Sequence, residues 1–258
     1  MAGVSGRVAL VTGAGSADGI GFATARLLHE AGARVAITST TERIFQRLAE
    51  LGGDAANSFA APADLTDSAQ VAGLVAQVEA ALGPIDILVN NAGMVQVGRE
   101  TSGKPMKDTS EDDWDYGIDI SLKTAFLATR AVLPGMTERR YGRIVHISSV
   151  TGPVAGIARS SVYASAKAGM LGMARALALE TGRDNITVNC VGPGWIQTAS
   201  SSEAEITAGR YTPVGRPGRP EEIGHVAVFL ASQEASYLTG QMIVVDGGNT
   251  VQEYKVAL

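Results

Sequence analysis

Residues 8–37 read VALVTGAGSADGIGFATARLLHEAGARVAI, and the fold turns on how this stretch is read. Residues 7–12 and 34–38 are short apolar runs that predict buried strands. Between them Phe22, Ala25, Leu28 and Ala31 recur at helical spacing, and Gly32 supplies a stop. Strand, glycine-rich turn, helix and strand suggest a dinucleotide site. Glycines let the backbone approach a pyrophosphate, and the N-terminus of the following helix favours the anion. An ordinary tight turn between strand and helix reads much the same way. The glycines also fit neither usual spacing: Gly13, Gly15 and Asp18 fall short of G-x-G-x-x-G, and Gly13, Gly19 and Gly21 overrun G-x-x-x-G-x-G.

Outward from this unit the chain alternates. Helical patterns cover residues 42–51, 68–82, 112–136, 161–182 and 220–231. Strand-like runs are 57–63, PIDILVNNAG (84–93), GRIVHISS (142–149), ITVNCVGPG (186–194) and QMIVVDGG (241–248). Near-continuous apolar strands imply burial on both faces, hence a parallel sheet. The reading is one α/β domain over residues 1–258: a doubly wound, Rossmann-like, seven-stranded parallel sheet with helices on both faces. Segments 94–113 and 195–219 lack periodicity and follow strand C-terminal ends, where such sheets place their ligands.

A chain of 258 residues can form such a domain and bury a sizeable core. Its net charge of −5 gives no basic field for nucleic acid. No apolar run reaches the roughly 18 residues of a membrane span, and the start lacks a secretory layout. Cys190 has no partner for an internal disulfide, and the three histidines show no metal-ligand spacing, so no metal is expected. These features fit a soluble, reducing, cytoplasmic setting.

Several motifs stand in order along the chain: TGAGSADGIG (12–21), NNAG (90–93), ISS (147–149), YASAK (163–167) and VGPGWIQT (191–198). Together they resemble the short-chain dehydrogenase/reductase family over nearly the whole chain. On that resemblance Thr12, Gly13, Gly19 and Gly21 are the motif positions of the first turn, with residues 16–18 bulging outward. The resemblance further implies cofactor contacts from Ser16, Ile20, Ser39, Thr40, Asp64, Leu65, Asn90, Asn91, Ala92, Gly93, Pro193, Gly194, Ile196 and Thr198. Asp67 suits the cap of the next helix better than Asp64 does.

Tyr163 and Lys167 stand one helical turn apart on one face. A phenol titrates near ~10, and a neighbouring ammonium is expected to lower that value, so that Tyr163 exchanges a proton with a carbonyl oxygen. The family resemblance gives Ser149 a hydrogen bond to the substrate oxygen and Lys167 a contact with the nicotinamide ribose. Ser121 stands where the family often has an asparagine holding a relay water. A serine can bond a water but lacks the amide's paired groups, and it can equally pack a helix kink. His146 and Cys190 read as core.

Met94, Val95, Val154, Ile157, Trp195 and Tyr211 are the candidate substrate pocket, an apolar set that suits a neutral carbonyl compound; each could also be loop packing. The leading function is an oxidoreductase interconverting a ketone and a secondary alcohol with NADP or NAD. Neither Ser39 nor Thr40 is the acid expected beside an NAD ribose, so NADP is the preferred cofactor. Arg43 adds charge if it turns inward, whereas Asp18 opposes a phosphate unless its bulge points away. A second reading is a 3-oxoacyl-carrier-protein reductase, with Arg140 and Arg183 facing an acidic carrier. A third is a non-catalytic nucleotide sensor or scaffold on the same fold. An enoyl reductase is expected to space its tyrosine and lysine more widely. Ala164, Ala168 and Gly172 form a small-residue face, and the family resemblance implies a homotetramer.

Overall fold

The computed structural model describes residues 2–52, 54–93 and 103–253. Seven parallel strands form one sheet: β1 (Val8–Val11), β2 (Arg34–Ser39), β3 (Ser58–Pro62), β4 (Ile87–Asn90), β5 (Gly142–Ile147), β6 (Ile186–Pro193) and β7 (Met242–Val245). Their order is β3-β2-β1-β4-β5-β6-β7. The direction of winding reverses between β1 and β4, and a crevice opens there at the strand C-terminal ends.

Alternation within the buried strands builds two cores. Ala9, Val11, Val35, Ile37, Ile87, Val89, Val145 and Ile147 face one way. They pack with Phe22, Ala25 and Leu28 of α1 (Ile20–Glu30), Ile44 and Leu51 of α2 (Ile44–Leu51), and Ile223 and Ala227 of α8 (Pro220–Ala231). Val8, Leu10, Leu88, Ile144, Val188 and Cys190 face the other. They pack with Val71, Leu74 and Val78 of α3 (Ser68–Leu82), Leu127, Val132 and Met136 of α5 (Thr124–Arg139), and Leu171 and Ala174 of α6 (Ser161–Thr181). Both faces are covered, which is why the strands read as unbroken apolar runs.

Two expectations change. The single helix over 112–136 is three pieces: α4 (Glu111–Ile118), one wide π-type turn (Asp119–Lys123) and α5. The aperiodic segment 195–219 contains α7 (Glu203–Arg210), started by a reciprocal cap in which Ser202 Oγ accepts from Glu205 N and the Glu205 carboxylate accepts from Ser202 N. Asp67 caps α3, accepting from the N–H groups of Ala69 and Gln70. Among the described residues no helix is long and apolar enough to cross a membrane, and no cluster of His, Cys, Asp and Glu could hold a metal ion.

Candidate active site

The loops that leave β1 and β4 are tied to each other. Asn91 Nδ2 donates to the carbonyls of Thr12 (3.2 Å) and Gly13 (3.0 Å). Thr12 Oγ1 accepts from the backbone N–H groups of Asn91 (3.0 Å) and Ala92 (3.1 Å). Gly13 has φ 67°, and a Cβ there would lie 2.7 Å from Ala92 Cα. Only glycine keeps these loops in contact. A Cβ on Gly21 would fall 2.5 Å from Asn91 Nδ2. Thr12 and Gly21 therefore brace the turn and lie outside the cavity walls. Asn90, unlike Asn91, turns away from the crevice. Its Nδ2 donates to Thr129 Oγ1 (3.0 Å) and lies 3.2 Å from His146 Nδ1, inside the core between sheet and α5. The period of two explains the difference: Asn90 shares the face of Leu88, and Asn91 is one step on.

Two cavities meet at Gly13, Asn91 and Gly93. The smaller, about 130 Å³, is walled by Ser39, Thr40, Arg43, Leu65 and Ala92 among others. The larger, about 780 Å³, takes in Ser16, Gly19, Ile20, Pro193, Gly194, Ile196 and Thr198. Asp64 lines neither; its Oδ1 closes a local turn by accepting from Thr66 N (2.9 Å) and Oγ1 (2.8 Å). Asp18 is exposed and is also absent from both walls. Arg43 turns inward: its Nε would sit 2.7 Å from a Cβ at Gly15. Helix α1 begins behind Gly19 with no side-chain cap and no acid in its first turn, so its N–H groups and dipole are open to an anion. This set of residues fits a dinucleotide.

Ser149, Tyr163, Lys167 and Ser121 come together on the larger cavity from three different elements. Ser149 follows β5, and Tyr163 and Lys167 share the start of α6. Lys167 is buried; its Nζ donates to Ile147 O at 2.8 Å and lies 5.6 Å from the centre of the Tyr163 ring. Burial lowers the Lys167 ammonium to about 8, with the neighbouring Cys190 working in the other direction. The Tyr163 phenol departs from the sequence expectation. Burial raises it, a hydrogen bond with Ser149 draws it back, and the Glu205 carboxylate raises it further. Desolvation of the phenolate is the largest of these influences. Ser149 Oγ also accepts from Thr151 N at 3.0 Å, which fixes its position.

Ser121 lies in the wide turn, and Gly93 packs on it: a Cβ at Gly93 (φ 141°) would come within 3.3 Å of Ile120 O and Ser121 Cα. Of the expected substrate residues, Ile157 and Trp195 line the cavity, whereas Val154 and Tyr211 do not. Val154 and Tyr211 are exposed on the outer surface. Met94 and Val95 lie outside the described residues. Sequence reading missed a charged rim of Lys104, Asp113, Arg159 and Glu205. Glu205 was legible in the S-x-x-E pattern of Ser202–Glu205; no sequence pattern flags Arg159. Arg140 and Arg183 are in contact, Arg140 Nη2 donating to Arg183 O at 2.8 Å, at the end of the sheet opposite this cavity.

Known proteins resemble this chain over nearly its whole length. A family model described as enoyl-(acyl carrier protein) reductase matches residues 13–250. The chain is similar to (2S)-[(R)-hydroxy(phenyl)methyl]succinyl-CoA dehydrogenase subunit BbsD of Thauera aromatica, with 41% identity over 96% of this chain and 98% of that protein. It is similar to the 3-oxoacyl-[acyl-carrier-protein] reductase FabG of Thermotoga maritima, with 40% identity over 95% of this chain and 98% of the relative. A solved structure of a double mutant of a Serratia marcescens short-chain dehydrogenase/reductase superposes with a TM-score of 0.84. Identity there is 30%, over 96% of this chain and 99% of that one.

Proposed function

Given that the chain belongs to the short-chain dehydrogenase/reductase family, we propose that Tyr163 is its general acid and base, with Ser149 and Lys167 in support, and that NADP(H) is its preferred cofactor. The protein is an NAD(P)-dependent oxidoreductase interconverting a ketone and a secondary alcohol. The observation that carries the residue assignment is the meeting of Ser149, Tyr163 and Lys167 on one cavity that is continuous with the glycine turn. When bound, the nicotinamide supplies or takes up the hydride. Tyr163, held protonated by burial, gives its proton to the carbonyl oxygen in reduction and takes it back in oxidation. Ser149 donates a hydrogen bond to the same oxygen, and the Lys167 charge steadies the phenolate left behind. On this reading Ser121, on the wall of the same cavity, holds a water that returns the proton; its other role is to pack the wide turn. The spacing of four between Tyr163 and Lys167 favours this carbonyl chemistry over reduction of an enoyl double bond.

Three features support NADP(H). No acid stands at the tip of β2, where Ser39 Oγ instead donates to Thr41 O at 3.1 Å. Arg43 reaches into the smaller cavity beside Ser39 and Thr40. Asp18 is exposed, away from both walls. An arginine fork there complements a 2′-phosphate. Steady-state kinetics with both cofactors test it: kcat/KM favours NADP(H), and Arg43→Ala narrows the ratio about tenfold. A wild-type ratio favouring NAD(H) overturns the reading.

The second reading, reduction of a carrier-linked 3-oxoacyl group, is favoured by the similarity to the Thermotoga maritima reductase. A carrier-linked substrate turned over much faster than a free thioester analogue would select it. We also propose that the protein assembles with itself as a homotetramer. Gly172 on α6 has open space where a Cβ would stand, Phe126 and Leu179 are exposed, and β7 is an edge strand with Val244 exposed. Such apolar surface favours association. A monomeric mass in sedimentation at micromolar protein rejects it.

A further inference from the structure

Six charged side chains line the larger cavity; Arg43 stands at its junction with the smaller cavity and Lys167 beside Tyr163, and of the four on the rim (Lys104, Asp113, Arg159 and Glu205) three are already engaged. Lys104 Nζ pairs with Asp113 Oδ2 at 2.7 Å. The same Asp113 oxygen accepts from Ser110 Oγ at 2.8 Å, and its carboxyl is held at about 2. Glu205 Oε2 accepts from Ser202 N (2.7 Å) and Oγ (2.9 Å). Arg159 alone has no carboxylate within ion-pair distance among the described residues.

Arg159 is nonetheless held in a defined place. Its Nε donates to Gly103 O at 2.9 Å. The backbones meet as well: a Cβ on Gly103 would lie 2.9 Å from Arg159 O. Arg159 also has φ 69°, a left-handed conformation that a long side chain adopts at a cost, so the surrounding contacts must fix it. The bond through Nε orients the guanidinium, and both terminal nitrogens are without a partner among the described residues at the cavity wall. Arg159 precedes Tyr163 by four residues, and no acid stands in the first turn of α6 to oppose an anion.

We propose that Arg159 is a specificity-determining residue that receives a carboxylate on the substrate, so that the preferred compounds are oxo acids or hydroxy acids and not neutral ketones. The two free nitrogens match the two oxygens of a carboxylate, and a planar fork adds orientation to charge. This rests on the proposed catalytic site only for the place of the reacting carbonyl; the anion contact itself is readable without turnover.

The experiment therefore has a binding arm and a kinetic arm. Calorimetry on the wild-type protein compares pentanoate with pentanamide, neither of which reacts. Pentanoate is expected to bind at least tenfold tighter. Arg159→Asn, which tolerates the left-handed backbone, should erase the difference, and Arg159→Lys should restore part of it. Equal binding of the two compounds overturns the proposal, and so does a preference that survives Arg159→Asn. In the kinetic arm, levulinate is compared with its ethyl ester and with acetoacetyl-CoA. Arg159→Asn should raise KM for levulinate at least tenfold more than for the ester. A greater loss for the CoA thioester than for levulinate would assign Arg159 to a phosphate and overturn the carboxylate. Absence of turnover with every ketone would count against the proposed catalysis, while the binding arm still decides the role of Arg159.

Discussion

Strand β5 has a buried cation at each end, and the two are held in opposite ways. At its start Arg143 is fully buried. Its Nη1 donates to Gly142 O (2.8 Å) and Asn185 O (2.9 Å), Nε reaches Ser232 O (3.4 Å), and the guanidinium stacks 4.6 Å from the Tyr141 ring centre. At its end Lys167 is almost as buried, but its ammonium has one short bond, to Ile147 O, and a weak one to Met170 Sδ at 3.9 Å. Its remaining donor capacity faces the cavity. Burial opposes the charge in both cases. Arginine, held by three carbonyls through Nε and Nη1 while its Nη2 is buried without a partner, stays ionised and fastens β5, β6 and the end of α8 to one another. Lysine, lowered to about 8 beside open space, is available to a ligand. Burial of a charge is thus no guide to chemistry by itself; what matters is whether its free donors face a cavity, as those of Lys167 do, or packed protein, as Nη2 of Arg143 does.

The sharpest way to break this contrast is at the cavity end. Tyr163→Phe should lower turnover by about 10³-fold, since a positioned acid contributes on that order. Cofactor affinity, read by fluorescence titration, should stay within about threefold. Lys167→Ala should lower both. If Lys167→Ala changed only the melting temperature, the lysine would be a fastener like Arg143. Next in size, Arg143→Ala should cost about 4 kcal/mol in denaturant unfolding, because it orphans buried carbonyls and opens a cavity. Its kcat/KM per folded molecule should not change. A variant of normal stability with lost activity would invert the comparison.

The smallest effect concerns His146, which sits between the two cations on β5. Burial lowers its imidazole to about 4, and the Lys167 charge adds to the shift. The folded protein therefore refuses a proton that the unfolded chain accepts from about 6.5 downward. More protons are bound when unfolded, so stability falls as pH drops from about 6.5 toward 4, by up to about 3 kcal/mol. Denaturant midpoints across that window should show the slope in wild type and a flatter one in His146→Gln. Equal slopes would mean that His146 is not the group responsible.

The fold was legible because each strand is an apolar run and each helix follows at the right distance. The candidate site was legible where motif residues stand at strand ends or at the start of α6, as with Gly13, Ser149, Tyr163 and Lys167, which the structure gathers on one cavity. What escaped depends on the third dimension. The phenol of Tyr163 rises because burial in the folded chain dehydrates it and the Glu205 carboxylate of α7 acts on it, neither of which is local in sequence. Whether Arg43 points in and Val154 and Tyr211 point out is set by loop packing. Asn90 and Asn91 could have been told apart by strand alternation, and α7 by its cap. The break at 119–123 carried no proline or glycine to announce it.

That break has a consequence for how the chain can vary. A π-type turn spends one more residue per turn than an α-helix, and each helical residue turns by about 100°. Everything before Asp119 is thus out of phase with everything after Lys123. Ahead of the offset, Tyr116 and Gly117 meet the cavity, and Gly117 lies so close to α6 that a Cβ would come 2.4 Å from Val162 Cγ1. Behind it, Leu127, Val132 and Met136 fill the core. Removing a single residue within 119–123 would make one regular helix with both flanks on the faces they now present, because the wide turn absorbs its extra residue locally, and would change only the stretch of cavity wall at Ser121. The extra residue in this segment thus works as a local adjustment of the pocket at Ser121, one that evolution or a designer can add or remove without turning either flanking helix or unfastening the sheet.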